Sequence, residues 1–338
     1  MNEVTLTDAP ALPGLRFRMF AGEADLEPNV ALNNICGQAD SSDWVDTLTE
    51  SQHWLANMDD KCNPYRDMLF GEVDGQMIAR GITSWRTNDD GEWIYELDCV
   101  VHPDWRGKGI GRALLDWQEQ HIRSLLAMQD NAGAPKFFET GTESRMTGMI
   151  GLLQHAGYEA VRFGCNMTRS LMTPIPEIEL PAGFEVRPAK PEHYRAIFNA
   201  ENEAFRDHWG HREKTEEDYQ SWLTEKSFQP EYFRVAWDTQ KNEVAGMVQN
   251  WVDWEANEAL GRKRCYTWGI CVRRPYRKLG VAKALIAISF HLHKSLGMTE
   301  AALGVDTQNP NGALHLYESM GFVVKKRRTT YRKEIRDR

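Results

Sequence analysis

The sequence predicts a mixed, largely antiparallel α/β fold that occurs twice in tandem, and three observations predict it. The stretches Arg106-Gly107-Lys108-Gly109-Ile110-Gly111 and Arg277-Lys278-Leu279-Gly280-Val281-Ala282 share the pattern Arg-x-x-Gly-x-small and lie about half a chain apart. Each follows a short apolar run closed by a proline, residues 97–101 before Pro103 and residues 270–272 before Pro275, and each opens a helical apolar pattern. With 338 residues, 41% hydrophobic and 26% charged, the chain is long enough for two ordinary cores.

The elements follow in order. Leu15-Arg16-Phe17-Arg18-Met19-Phe20 alternates as an opening strand, and strands over 68–72, 76–84 and 92–101 lead into the first loop. Residues 173–181 hold three prolines in nine positions, which resists helix and favours an extended linker. This predicts a first domain over 1–172, a linker over 173–181 and a second domain over 182–338. In the second half, a strand begins at Phe184, residues 191–205 have helical spacing, and strands over 232–237, 243–252 and 264–272 lead into the second loop. The basic run 325–338 also carries Thr329, Thr330, Tyr331 and Ile335, which reads as a terminal strand with a solvated charged side.

The repeated loop has a physical job. Small residues after the arginine allow a tight turn in which successive N–H groups at a helix start point outward, an arrangement suited to a diphosphate. A dinucleotide-binding turn would need G-x-G-x-x-G, and Gly107, Gly109 and Gly111 alternate instead; a Walker loop would need Gly-Lys-Ser or Gly-Lys-Thr, which is absent.

Composition narrows the class of function. The net charge of −9 disfavours a nucleic-acid partner and suits a cationic amine. The six cysteines show no C-x-x-C and no paired histidine spacing, so no metal site is expected. The N-terminus has no basic start followed by an apolar segment, and the longest apolar stretch, near 284–290, is too short to span a bilayer. A cytoplasmic protein without a membrane partner is the expectation.

Both loops match the hallmark of the GCN5-related N-acetyltransferases (GNAT), [Gln or Arg]-x-x-Gly-x-[Gly or Ala]. The second half also resembles that family in its asparagine-bearing loop and in a helix ending Tyr-x-x-x-Gly-Phe, here Asn309, Asn311, Tyr317, Gly321 and Phe322. The resemblance implies two tandem GNAT acyl-CoA N-acyltransferase domains, acetyl-CoA as cofactor, and direct attack by a primary amine, of a small molecule, in a ternary complex. It places the pantetheine arm and thioester against the backbone of Ile270, Cys271, Val272 and Arg273. The diphosphate falls to Arg277, Lys278, Leu279, Gly280, Val281, Ala282 and Lys283, and the cofactor arm to Asn309. In the first half, Val100, Val101, His102, Arg106, Gly107, Lys108, Gly109, Ile110, Gly111 and Arg112 form the corresponding cradle. Tyr317 would sit beside the sulfur as the acid for the departing thiolate.

The halves depart from that pattern in opposite ways. Aligned on Gly157-Tyr158 and Gly321-Phe322, the first half has Leu153 in place of Tyr317 and Arg145 in place of Asn309. It keeps Glu96, where many family members carry the general base. Counting back equally from Arg106 and Arg277 puts Thr267 at that position in the second half, where Glu255, Asp253 and His208 remain as bases. The expectation is a catalytic second domain, with Tyr317 as acid and Glu255 as base, and a first domain that binds acetyl-CoA with little or no turnover. The alternatives are a non-catalytic acyl-CoA sensor and an acetyltransferase acting on protein amines.

Overall fold

The computed structural model describes residues 3–126 and 133–336. Its contacts divide the chain into two compact units, Met1–Val161 with Thr329–Arg338, and Arg162–Arg328.

In the first unit the chain forms β1 (Glu3–Val4), β2 (Leu15–Met19), α1 (Leu26–Ala39), α2 (Leu48–Ala56), α3 (Pro64–Asp67), β3 (Met68–Val73), β4 (Gln76–Thr87), β5 (Trp93–Val101), α4 (Ile110–Leu126), β6 (Lys136–Glu143) and α5 (Thr147–His155). Thr47 and Glu50 cap α2 reciprocally, and Asn63 caps α3. The strands lie in chain order from β1 to β6, and residues 329–334 follow beside β6. Neighbours are antiparallel up to β5, whereas β5 and β6 run parallel and pair only from Trp93↔Lys136 to Glu96↔Glu139. On one face, Ile110 and Leu114 of α4 pack on Phe17, Leu69, Ile78 and Ala79. On the other, Leu26, Leu32 and Cys36 of α1 pack on Met68, Phe70 and Met77.

The strand that follows α5, β7 (Glu159–Ser170), belongs to the second unit from Arg162 onward. After it come β8 (Phe184–Arg187), α6 (Pro191–Ala204), α7 (Glu216–Trp222), β9 (Arg234–Asp238), β10 (Glu243–Trp251), α8 (Trp254–Ala259), β11 (Arg264–Val272), α9 (Val281–Ser295), β12 (Glu300–Asp306), α10 (Ala313–Ser319) and β13 (Val323–Glu334). The order is β8, β9, β10, β11, β12, β7, with residues 323–328 of β13 beyond β7. One face carries α9, whose Leu285, Ile286 and Phe290 pack with Val248, Leu303 and Val305; the other carries α6 and α7, with Ile197, Phe198 and Trp222 against Val235 and Met247.

The compact units therefore do not coincide with the division at 173–181. Strand β7 pairs with β12 over the whole run from Glu300↔Ser170 to Asp306↔Gly164, and Cys165, Met167 and Leu171 are fully buried in the core of the second unit. Conversely, Tyr331 and Ile335 are buried in a core of the first unit, and the Ile335 N–H donates to the Lys136 carbonyl. Within the proline run Ile175, Ile178 and Leu180 pack against the core of the second unit, and each unit takes one strand from beyond the run.

The units therefore depend on these strands. Burying Met167 and Leu171 is worth about 1.5–3 kcal/mol each. A fragment of residues 182–338, which lacks both, should show no cooperative unfolding in urea, whereas residues 162–328 should. Cleavage within 173–181 should leave two pieces that elute together. Cooperative unfolding of 182–338 as a monomer would restore the simpler division.

A buried polar cluster ties α9 to the sheet. Asn250 Nδ2 donates to Ser289 Oγ at 3.0 Å, and its Oδ1 lies 2.8 Å from His293 Nε2. His293 is fully buried, and burial, helped by Arg234, pushes its pKa down to about 3 from 6.5. The unfolded chain therefore takes up a proton between those values that the folded chain refuses. Stability should be full above about pH 6.5 and fall as the pH drops toward 3; urea midpoints measured at several pH values should show that loss, and His293→Gln should flatten it. His291, two residues away, is exposed, so the two histidines point to different surroundings.

Candidate active site

Strand β11 sets the geometry. Against β10 it pairs Gly246↔Val272 and Met247↔Cys271, then resumes at Gln249↔Trp268. Two residues, Gly269 and Ile270, therefore oppose the single Val248, which makes a β-bulge. Gly269 adopts φ 54°, and a Cβ there would lie 3.0 Å from the Gln249 side chain, so glycine is required. On its other edge β11 pairs with β12 only from Arg264↔Glu300 to Tyr266↔Ala302. Beyond Tyr266 the two strands part, and that edge of β11 is open to a ligand's amides.

The open edge leads into a cavity of about 660 Å³. Ile270, Cys271 and Val272 form one wall, the 277–283 loop another, and His208, Asn309, Leu316 and Tyr317 the rest. Helix α9 begins directly after Gly280 with no side-chain cap, and its first backbone bond runs from the Ala284 N–H to the Gly280 carbonyl. The N–H groups of Val281, Ala282 and Lys283 thus have no intrahelical partner. Lys278 and Lys283 line the same wall and, among the described residues, have no ion-pair partner. Uncapped N–H groups beside two lysines have the chemistry that suits a phosphate group.

Most of the predicted residues come together here, with different duties. The Arg277 guanidinium is committed to protein groups: Nε donates to the Val272 carbonyl at 3.0 Å, Nη2 to the Ala204 carbonyl at 3.0 Å, and Nη1 pairs with Asp207 at 2.6 Å and lies 3.4 Å from Asn311 Oδ1. Arg274 binds the same carboxylate, and the two arginines hold Asp207 well below the usual carboxylate range. Arg277 is therefore a staple between the loop and the end of α6. Arg273 pairs with Glu203 and Glu243, and Leu279 is exposed; neither lines the cavity. Asn309 forms the turn that closes the wall, accepting from the Asn311 N–H at 2.8 Å, while its Nδ2 lies 3.4 Å from His208 Nε2. Burial lowers the His208 pKa below its ordinary value, so the imidazole is neutral near pH 7.

Tyr317 is only 7% exposed yet lines the cavity, and burial, reinforced by nearby Cys271, raises its pKa. Its hydroxyl keeps its proton and, among the described residues, has no protein hydrogen-bond partner. A protonated phenol on that wall can donate a hydrogen bond into the cavity.

Two expectations about the base need correction. Glu255 sits on α8, 62% exposed and 3.0 Å from Lys226, and is not brought to the cavity; the neighbouring Asp253 is consumed as the α8 cap. Thr267 does not occupy the position of Glu96. The bulge adds one residue to β11, so by strand pairing Tyr266, opposite Trp251 and Ala302, corresponds to Glu96, opposite Ser84 and Glu139. Thr267 instead donates from its hydroxyl to the Ala302 carbonyl at 3.1 Å. Only the bulge could have revealed this, and Gly269 was its sole sequence signal.

In the first unit the loop has the same backbone: Gly107 and Gly109 adopt φ 73° and 89°, matching 65° and 93° at Lys278 and Gly280. Arg106 makes the same bond to Val101 and a bidentate pair with Asp40. The surroundings differ. Lys108 lies 4.5 Å from the Trp105 ring, Arg112 pairs with Asp116, His102 accepts from the Asp104 N–H, and Pro10 packs against Gly109. Strand β5 pairs with β4 without a bulge from Val101 to Trp93, through Val100, and Ile110 and Gly111 open α4 against Val101 and Leu152. Leu153 is fully buried, and Arg145 bonds the Asp40 carbonyl.

The profile of the Acetyltransferase (GNAT) family matches residues 34–141 and 194–322, more than half of the chain and one match in each half. The chain belongs to the GNAT family and is an N-acetyltransferase. It is 31% identical over 245 residues to a mycothiol acetyltransferase of Streptomyces griseus, covering 70% of this chain and 71% of that one. Among solved structures it resembles a GCN5-related N-acetyltransferase from Sphaerobacter thermophilus (TM-score 0.74, 26% identity, 97% and 98% covered). It shares its fold with a tandem GNAT protein from the clavulanic acid biosynthesis pathway (TM-score 0.69, 14% identity, 96% and 99% covered). The GNAT cofactor, acetyl-CoA, fits the second unit: uncapped N–H groups and two uncommitted lysines suit its diphosphate, and the open edge of β11 suits its amides. No helix among the described residues is long and apolar enough to cross a membrane.

Lys278 holds a left-handed conformation that costs a non-glycine residue about 1–2 kcal/mol. Lys278→Gly should therefore raise stability in urea by a few tenths to about 1 kcal/mol while weakening coenzyme A binding through loss of a cation. Lower stability, or unchanged affinity, would mean that the ammonium has another task.

Proposed function

We propose that the second unit transfers acetyl groups to a small-molecule primary amine, with Tyr317 as the group that serves the leaving thiolate. The observation that carries this reading is the buried, neutral phenol, unpartnered among the described residues, on the cavity that also holds the uncapped helix start and the open strand edge. Bound acetyl-CoA supplies a thioester carbon for the amine to attack. Lys278, Lys283 and the N–H groups of Val281, Ala282 and Lys283 hold the diphosphate, while Ile270, Cys271 and Val272 align the arm. The bulge interrupts the ladder between Met247 and Gln249, and the backbone there can turn an N–H toward a carbonyl oxygen to stabilise its negative charge. Tyr317 donates its proton, or a strong hydrogen bond, to sulfur. His208, kept neutral by burial, is available to accept a proton on the same wall.

Relatives at about 30% identity carry the name mycothiol acetyltransferase, which supports an acceptor of small-molecule size. The first unit has the same loop backbone but neither the bulge nor a phenol at Leu153. On this reading it binds acetyl-CoA more weakly and turns over little.

Tyr317→Phe should lower kcat about a hundredfold or more and leave coenzyme A affinity by calorimetry unchanged, because a thiolate exists only after the chemical step begins. Unchanged kcat where chemistry limits the rate would return Tyr317 to a packing role.

A further inference from the structure

Resting on that reading, we propose that Arg328 reads the acceptor, and that the acceptor is an amine which also carries an anionic group. The argument starts at the point where β11 and β12 part. The last paired residues are Tyr266 and Ala302. Two residues further on each strand, and therefore on the same sheet face, stand Trp268 and Gly304. That face is the one carrying α6 and α7, since Gln249, opposite Trp268, accepts a hydrogen bond from Trp222 of α7. Trp268 and Gly304 thus flank the mouth of the opening, and Trp268 directly precedes the bulge.

Trp268 is 54% exposed, an indole face held in solvent next to the bulge. Opposite it, Gly304 has no side chain, and the Arg328 guanidinium occupies the space: a Cβ at 304 would lie 3.2 Å from Arg328 Nη2. Gly164, on the neighbouring β7, leaves the same room, with its Cβ position 3.8 Å from that atom. Arg328 is exposed and, among the described residues, has no carboxylate partner. The acid further along the same face, Asp306, is already paired with Arg162 at 2.5 Å. A planar cation with five donors, held over two glycines and left uncommitted, is suited to bidentate recognition of a carboxylate or phosphate.

The first unit shows the contrast. The equivalent mouth, a cavity of about 490 Å³, is lined by Glu96, Asp98, Glu139 and Gly141, with Trp54 of α2 on its wall. It keeps the glycine and has Asp98 at the strand position of Trp268. The first mouth thus carries carboxylates, whereas the second carries a guanidinium, which disfavours a polyamine there and favours an amine that bears its own anion.

The test uses the full-length protein, acetyl-CoA and paired acceptors: L-amino acids against their carboxamides, and phosphoethanolamine against ethanolamine, with thiol release as readout. The wild type should show a KM at least tenfold lower for the anionic member of a pair, and the pair that does so identifies carboxylate or phosphate. Arg328→Gln should erase that preference while leaving turnover of the neutral member and coenzyme A affinity unchanged, and Arg328→Lys should restore part of it. Gly304→Ala, which displaces the guanidinium, should act in the same direction. A wild type that prefers the neutral members, or a preference that survives in Arg328→Gln, overturns the proposal. If no amine is acetylated although coenzyme A binds, the enzymatic reading fails instead. Calorimetric titration of the same amino acids and phosphoethanolamine into the coenzyme A complex then decides: binding lost in Arg328→Gln supports the proposal, and no binding overturns it.

Discussion

One extra residue in β11 organises the second unit. A strand that pairs on both edges offers no backbone group to a ligand, because its N–H and C=O groups are all committed. In β11 the parallel pairing stops at Tyr266, and the bulge at Gly269 and Ile270 releases the ladder on the other side. The strand still enters the loop at Val272, where Arg277 ties it to the following turn and to the end of α6. An open edge, a free turn and an uncapped helix start are therefore strung along one short stretch of chain, and Tyr317 faces the same cavity from α10. Remove the bulge, and the register of every residue before it shifts by one, which moves each side chain to the opposite face.

The first unit shows what that constraint contributes. Its loop has the same dihedral pattern, the same arginine staple and a carboxylate at the helix end, Asp40 in place of Asp207. Backbone geometry is thus the inherited part. What differs is the commitment of side chains: cations lie on aromatic rings or pair with acids, the tyrosine position is a buried leucine, and Glu96 is bonded to Arg86 and Ser84. Glu96 keeps the residue type expected of a base within an ion-pair network that also binds Glu139.

Much of this was legible in the sequence because it depends on local rules. Alternation and proline placement match the strands from Met68 to Val101 and from Arg234 to Val272 within a residue or two, except that β4 continues three residues past the expected end at 84, to Thr87, and the repeated glycines at 109 and 280 mark both left-handed turns. Tyr317 and most of the loop residues singled out by short spacing along α10 and the loop line one cavity. What failed was non-local. The proline run at 173–181 looks like a boundary, but pairing of β7 with β12 is decided by strands more than a hundred residues apart. Equal counting from Arg277 misplaced Thr267 because a bulge is set by pairing with β10, and a single glycine is too weak a signal for it. Glu255 was chosen by residue type, and its exposure and its bond to Lys226 belong to tertiary structure. Arg277 has the charge expected for a phosphate ligand, and only its partners Val272, Ala204 and Asp207 reveal the staple.

The central claim is that chemistry belongs to the unit with the bulge and the free phenol. Its most direct test is turnover of Glu96→Gln, with the folded state verified and acetyl-CoA saturating. Turnover equal to that of the wild type is the predicted result, since Glu96 lies outside the cavity that holds Tyr317. Loss of turnover with folding intact would place the reaction in the first unit and contradict the account.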